Sequence, residues 1–244
     1  MTETNSPTPF DGPVVTVVQH QDAVPLGRLA DTLPGLRVQI VRPDAGDDLP
    51  AAADLEALIV LGGTMAATDS DTHPWLPAVR DLLADAVDQD VPTLAICLGA
   101  QLLALAGGGQ VAVAAPSGPE RGVVEVRMRP DAAQDPVLGP VMDALGRDVP
   151  APSMHHDAVT VLPKSATWLA SSLRYPFQAF RLRNALGVQF HPEADEDIMR
   201  QWARSEELDA DELAAGYAQH GEALAMLAKE LGASFAAQVR QRAA

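Results

Sequence analysis

The sequence predicts a doubly wound α/β fold, on three observations. The first half alternates short, nearly continuous apolar runs with amphipathic stretches. Such runs suit parallel strands buried on both faces, and the stretches between them supply crossover helices. Past the glycine triplet 107–109, strand candidates become short, closely spaced and partly alternating, as antiparallel segments do. From Glu196 onward the apolar residues return to helical spacing. The expected architecture is a mostly parallel central sheet with helices on both faces, extra antiparallel strands in the second half and a C-terminal helical layer.

Taken in order, the expected parallel strands are 14–18, 37–41, 57–61 and 93–97, and the helices between and after them are 26–33, 76–89 and 98–106. Gly107-Gly108-Gly109 reads as a helix terminator, since glycine accepts the left-handed conformation that ends a helix. The later strand candidates are 111–115, 123–128, 158–161, 167–171, 177–181 and 186–190, and the tail carries helices over 209–217 and 222–239.

Composition narrows the function. The chain has 244 residues, 47% of them hydrophobic, enough to bury a core under one continuous sheet without a second domain. Seventeen basic against 33 acidic side chains give a net charge of −16, which repels phosphate backbones and anionic lipid surfaces, so neither nucleic acid nor membrane is an expected partner. No apolar run approaches the roughly 18 residues a spanning helix requires. The opening MTETNSPTPFDGP has neither a basic nor an apolar targeting region. A soluble cytoplasmic protein is expected. A single cysteine cannot form an internal disulfide, so its place in the chain decides its meaning.

That cysteine, Cys97, ends the apolar run Pro92-Thr93-Leu94-Ala95-Ile96 and precedes Leu98-Gly99-Ala100-Gln101, a helix start. Strand, nucleophile and helix in succession are the makings of a nucleophile elbow, in which small residues two positions either side, Ala95 and Gly99, let strand and helix approach. A thiol at a helix N-terminus also feels the positive end of the helix dipole, which favours the thiolate. Alone, a cysteine beside a buried strand reads equally as a small core hydrophobe.

Downstream, Gln189-Phe190-His191-Pro192-Glu193 closes an apolar segment. In extended chain, i and i+2 fall on one side, and Pro192 favours extended geometry for itself and its predecessor. Glu193 can then fix the tautomer of His191 while the second ring nitrogen exchanges a proton with Cys97. An isolated His and Glu at a strand end also suit a surface pair.

Three motifs, Ile59-Val60-Leu61-Gly62-Gly63-Thr64-Met65, Cys97-Leu98-Gly99-Ala100-Gln101 and Gln189-Phe190-His191-Pro192-Glu193, occur in the order and approximate spacing of class I glutamine amidotransferases, which the chain resembles. His73-Pro74-Trp75-Leu76, Glu120-x-Gly122, His155-His156-Asp157 and Gln178-Ala179-Phe180-Arg181 make it similar to the stand-alone branch related to the glutaminase domain of GMP synthase. The resemblance covers residues from about Val14 to Glu193. It implies a flavodoxin-like domain over 13–195, with an extended or disordered tail over 1–12 and C-terminal helices over 196–244 packed on the same domain.

The resemblance also implies a chemistry. Cys97 would attack the side-chain amide of glutamine, ammonia would leave, and water would hydrolyse the γ-glutamyl thioester. The catalytic residues would be Cys97, His191 and Glu193, and the backbone N–H groups of Gly63 and Leu98 would form the oxyanion hole. Gly62, Gln101, His155, His156 and Asp157 would line the substrate site. Ala95 stands where a glycine is more usual, Val123 where an aromatic often follows Glu-x-Gly, and Met154 and His156 depart from the usual loop. The HxE and HHD spacings fit no tight zinc motif, and the sequence carries no P-loop or Gly-rich phosphate fingerprint, so neither metal nor cofactor is expected. His20, His73 and His220 receive no role and are expected in loops or on the surface.

Three functions remain open at this point. One is a glutaminase that hands ammonia to a separate synthetase subunit. Another is a self-sufficient hydrolase of γ-glutamyl peptides or amides. The third, of a different class, is a non-catalytic interaction protein on the same scaffold.

Overall fold

A computed structural model describes residues 12–243, so the tail expected over 1–12 lies almost wholly outside them. Its strands are β1 (Val14–Val18), β2 (Arg37–Val41), β3 (Ala57–Val60), β4 (Thr93–Ile96), β5 (Gln110–Ala112), β6 (Glu120–Met128), β7 (Asp148–His155), β8 (Ala158–Val161), β9 (Thr167–Ser171), β10 (Ala179–Leu182) and β11 (Ala185–Val188). The helices are α1 (Leu76–Asp88), α2 (Leu98–Ala106), α3 (Leu138–Leu145), α4 (Glu196–Ser205), α5 (Ala210–Gln219) and α6 (Gly221–Ala243).

Nine strands form one sheet in the order β2-β1-β3-β4-β11-β10-β9-β6-β7. Pairing is parallel from β2 through β11 and antiparallel from β11 to β7. Strands β5 and β8 make a small separate antiparallel pair. In the parallel half, β3 and β4 are buried along their whole length, which is why they read as uninterrupted apolar runs.

Helices cover both faces. Leu227, Leu231, Phe235 and Val239 recur every four residues along α6 and, with Leu138 and Val141 of α3, pack under Val15, Val17, Ile59 and Ile96. Each such burial stabilises the fold by about 1.5–3 kcal/mol. Val79, Leu83 and Ala86 of α1, together with Leu102 and Leu103 of α2, cover the opposite face through Leu58, Val60 and Ala95. A third cluster joins α4 and α5 to Val24, Met154 and Ala194. Among the described residues, no helix is long and apolar enough to cross a membrane.

Several elements differ from expectation. The segment 26–33 is a short 3-10 turn, Gly27–Asp31, not a crossover helix. Its entry residue Gly27 is left-handed, at φ 52°, and the Arg28 N–H donates to the Glu193 carbonyl (2.9 Å), so this backbone serves another loop instead of a helix ladder. Strand β7 is absent from the expected strands because Pro150 and Pro152 interrupt it. It lies at the sheet edge and pairs with β6 alone, so the ladder loses no donor it needs. Helix α3 is likewise an addition to the expected elements; Pro140 sits in its first turn, where a missing N–H has no consequence. His20 lies in the loop after β1, one of the two places expected for it, but is wholly buried there.

Candidate active site

Cys97 sits between β4 and α2 at φ 50° and ψ −105°, a backbone conformation a non-glycine residue adopts at a cost of order 1–3 kcal/mol. Its surroundings hold it there. Its N–H donates to the Val188 carbonyl at the end of β11 (2.8 Å), and its carbonyl accepts from the Gln101 N–H (3.0 Å). Gly99 is required by close approach, since a Cβ there would lie 2.3 Å from the Val60 carbonyl oxygen. The thiol, though 5% exposed, lines a cleft of about 510 Å³ at the C-terminal ends of the parallel strands, where open α/β sheets place their ligands.

Because β4 and β11 are parallel neighbours, the chain leaving β11 arrives beside the elbow. His191 lines the same cleft, and its Nδ1 lies 2.6 Å from Glu193 Oε1. The expectation of extended chain here is corrected. Pro192 and Glu193 form a turn, with the Ala194 N–H donating to the His191 carbonyl (3.1 Å), so Glu193 folds back beneath the ring. Both side chains are buried, and Nε2 has no hydrogen-bond partner among the described residues. Burial alone would lower the pKa of His191; the Glu193 carboxylate and the neighbouring Cys97 side chain outweigh it and hold the ring well above the ordinary histidine value.

The glycine pair forms the floor between them. A Cβ on Gly62 would meet His191 Cε1 at 3.1 Å and Cys97 Cβ at 3.5 Å, so a side chain here would push into the gap between imidazole and thiol. Gly63 lines the cleft directly, beside the Leu98 side chain. Leu98 is the first residue of α2, and its N–H therefore has no acceptor within the helix.

A family model for class I glutamine amidotransferases matches residues 30–202. The chain belongs to the class I glutamine amidotransferase family. Within that family it is 31% identical over 159 residues to γ-glutamyl peptidase 4 of Arabidopsis thaliana, covering 62% of this chain and 60% of that protein. To one of the subunits of the glutamine-hydrolysing GMP synthase of Natronomonas pharaonis it is 32% identical over 149 residues, covering 60% of this chain and 71% of that relative. The first of these matches thus spans less than two thirds of its relative's length. A glutamine amidotransferase crystal structure from Methylobacillus flagellatus superimposes with a TM-score of 0.77 at 28% identity, covering 92% of this chain and 94% of that one. One from Thermotoga maritima has the same fold, with a TM-score of 0.80 at 23% identity over 92% of this chain and 98% of that one.

Gln101, His155, His156 and Asp157 line the cleft's wall. Gln101, 3% exposed, donates from Nε2 to the Asp157 carbonyl (3.1 Å) and to Gln189 Oε1 (3.3 Å). The Asp157 carboxylate accepts from the Ala114 N–H (2.9 Å), and its carbonyl also accepts from His155 Nδ1 (2.9 Å). The other nitrogen of His155 lies 3.1 Å from Glu120 Oε2. Glu120 further accepts from Ser172 Oγ (2.6 Å) and Gln178 Nε2 (2.6 Å), which joins two more family segments into one buried network. Burial would raise the pKa of Glu120; the hydrogen bonds from His155 and Ser172 prevail and keep it below the usual range. His156 stands apart on the rim, 45% exposed at its side chain, against Arg121 Nη2 (2.8 Å) and Glu206 Oε2 (3.4 Å).

Sequence reasoning missed Trp202 and gave Gln189 no part. Trp202 stacks edge-on against His191, with centroids 4.7 Å apart, and anchors itself through Nε1 to the Ala23 carbonyl (2.7 Å). It lies on α4, where the apolar face announces burial but not what is buried against it. Among the described residues, no group of three or more His, Cys, Asp or Glu is arranged to hold a metal ion.

Proposed function

We propose that this amidotransferase hydrolyses the γ-amide of glutamine through a thioester at Cys97 and releases ammonia. The observation that carries the reading is the shared cleft itself, in which a strained, buried thiol faces an imidazole held above its ordinary pKa by a buried carboxylate. Cys97, His191 and Glu193 are the catalytic residues.

The thiolate attacks the amide carbon, forming the S–C bond, while the thiol proton rests on His191. His191 then gives that proton to the departing nitrogen as the C–N bond breaks, so ammonia leaves. Water enters, gives a proton to the imidazole and attacks the thioester carbon; the S–C bond breaks, and glutamate departs. Glu193 stabilises the imidazolium at both stages. The N–H groups of Gly63 and Leu98 stabilise each oxyanion, a contribution of about 2.7–4 kcal/mol for one donor of this type. Gly62, Gln101, His155, His156 and Asp157 border the substrate.

A second reading, a self-sufficient hydrolase of γ-glutamyl peptides or amines, is favoured by the cleft's size. Its 510 Å³ extend past Cys97 to Met154, Trp202, Ser205 and Glu206, leaving room for a leaving group larger than ammonia. The names of the relatives divide in the same way: one is a γ-glutamyl peptidase, the other part of a glutamine-hydrolysing synthase. In the glutaminase reading a separate synthetase subunit receives the ammonia.

The test follows ammonia or amine release from glutamine, γ-glutamyl dipeptides and γ-glutamyl amines, for the wild-type protein and Cys97→Ser. Turnover of glutamine that is lost in Cys97→Ser supports the first reading; turnover confined to the dipeptides or amines replaces it with the second. Inertness toward the whole panel, with no labelling of Cys97 by a glutamine-like chloroketone, would assign the chain to a non-catalytic role.

A further inference from the structure

We propose that Gln189 is a catalytic residue, whose side-chain N–H donates to the Cys97 sulfur and stabilises it as a thiolate. The proposal rests on Cys97 being the nucleophile, and goes beyond that reading by naming the group that holds its charge.

Gln189 Nε2 lies 3.4 Å from Sγ, within reach for a donor to sulfur, and the side chain is 2% exposed. Which end of the amide faces the sulfur is decided two residues away. The Asp157 carbonyl can only accept, so the end of Gln101 that meets it must be the NH2 group. That same NH2 group meets Gln189, whose facing atom must therefore be the oxygen. The remaining end of Gln189, the one at the sulfur, is then necessarily its NH2 group. A backbone carbonyl thus fixes, through two buried amides, the polarity of the hydrogen bond at the nucleophile. The carbonyl is itself held by His155 Nδ1, and His155 by Glu120, so the orientation is set by a network that reaches β6.

A thiol is a weak acceptor and a thiolate a strong one, so a fixed N–H favours the charged form. The same donor serves twice in the reaction. It holds the attacking sulfur before acylation and receives the departing sulfur when water breaks the thioester. It does so without titrating. His191 lies across the Gly62 floor with Glu193 behind it, and His155, His156, Asp157 and Glu206 line the outer cleft.

The experiment measures the rate of Cys97 alkylation by iodoacetamide as a function of pH, which needs no knowledge of the substrate. Gln189→Leu keeps the volume and removes the donor; its apparent thiolate pKa is expected to rise by about one unit, an approximately tenfold slower reaction on the acid side. Gln189→Glu puts a carboxylate against the sulfur and raises it further. Gln101→Met leaves Gln189 in place but free to turn, and gives the same shift in smaller measure; it stands in should Gln189→Leu fail to fold by circular dichroism. Wild-type profiles in all folded variants would overturn the proposal while leaving the nucleophile in place. Absence of Cys97 labelling in the wild-type protein would remove the nucleophile reading, and this proposal with it.

Discussion

His191 Nδ1 and Glu193 Oε1 lie 2.6 Å apart, the histidine 4% and the glutamate 0% exposed at their side chains. A charge-assisted bond of that length, out of water, governs both the orientation of the ring and its proton affinity. Glu193→Gln keeps the shape and removes the anion. Turnover is expected to fall about 10²- to 10⁴-fold, as when a triad carboxylate becomes an amide. The alkaline limb of the pH–rate profile, where the imidazolium gives up its proton, should move to lower pH because the carboxylate that raises its pKa is gone. A limb that stays where it was would separate Glu193 from the histidine's chemistry.

Gly99→Ala tests the elbow. The added methyl would sit 2.3 Å from the Val60 carbonyl oxygen, and backbone cannot yield as a side chain can. A loss of about 1–3 kcal/mol is expected, with Tm falling roughly 2–4 °C for each kcal/mol in a chain of this size. Since the shift displaces Cys97, alkylation of the thiol should change as well. A calorimetric Tm equal to that of the native chain would show that strand and helix have room to part.

Arg181→Met tests a buried ion pair away from the cleft. Arg181 Nε and Nη2 each lie 2.8 Å from an oxygen of Asp135, which is 3% exposed at its side chain and also accepts from the N–H groups of Val137 and Leu138 (both 2.9 Å). Removing the guanidinium leaves a carboxylate at the start of α3 with its ion-pair partner gone, at a cost of about 3–5 kcal/mol. Urea titration should register that loss, while kcat/KM, measured where the variant is folded, stays near the native value. An unchanged midpoint would mean that the pair contributes nothing.

His20→Gln tests a buried neutral histidine. Burial lowers the pKa of His20 to about 4, and its Nδ1 accepts from Trp75 Nε1 (3.2 Å). Between pH 6.5 and about 4 the unfolded chain binds this proton and the folded chain does not, so stability falls as pH falls through that window. The difference amounts to about 3 kcal/mol at most. The native protein should therefore lose more stability than His20→Gln between pH 6.5 and 4.5 in paired urea titrations. Parallel losses in the two would place His20 in contact with solvent.

Much of the fold was legible because burial writes itself into the sequence. Strands β1, β2, β8 and β9 and helix α2 begin and end where periodicity places them. What escaped was set by tertiary partners. The 3-10 turn at Gly27–Asp31 answers to the Glu193 carbonyl, and β7 tolerates two prolines because no further strand pairs with its outer edge and none asks for their missing N–H groups. At the candidate site, Cys97, His191 and Glu193 were readable because strand ends and helix starts are local features. The turn at Pro192-Glu193 was not, because X-Pro geometry permits both extended chain and turn and only the packing of Glu193 under the ring chooses. Trp202 and Gln189 were silent because their contacts cross between elements.

Strand β11 completes the centre of the sheet between β4 and β10 and supplies the acceptor for the Cys97 N–H, yet Gln189, one residue past its end, is 92 positions beyond that cysteine. A ribosome must therefore extrude the chain past His191 before the thiol meets that imidazole. Pairing over such a span closes late in folding. An emerging chain consequently carries Cys97 as an ordinary exposed thiol, and its pairing with the imidazole waits until the two halves of the sheet join.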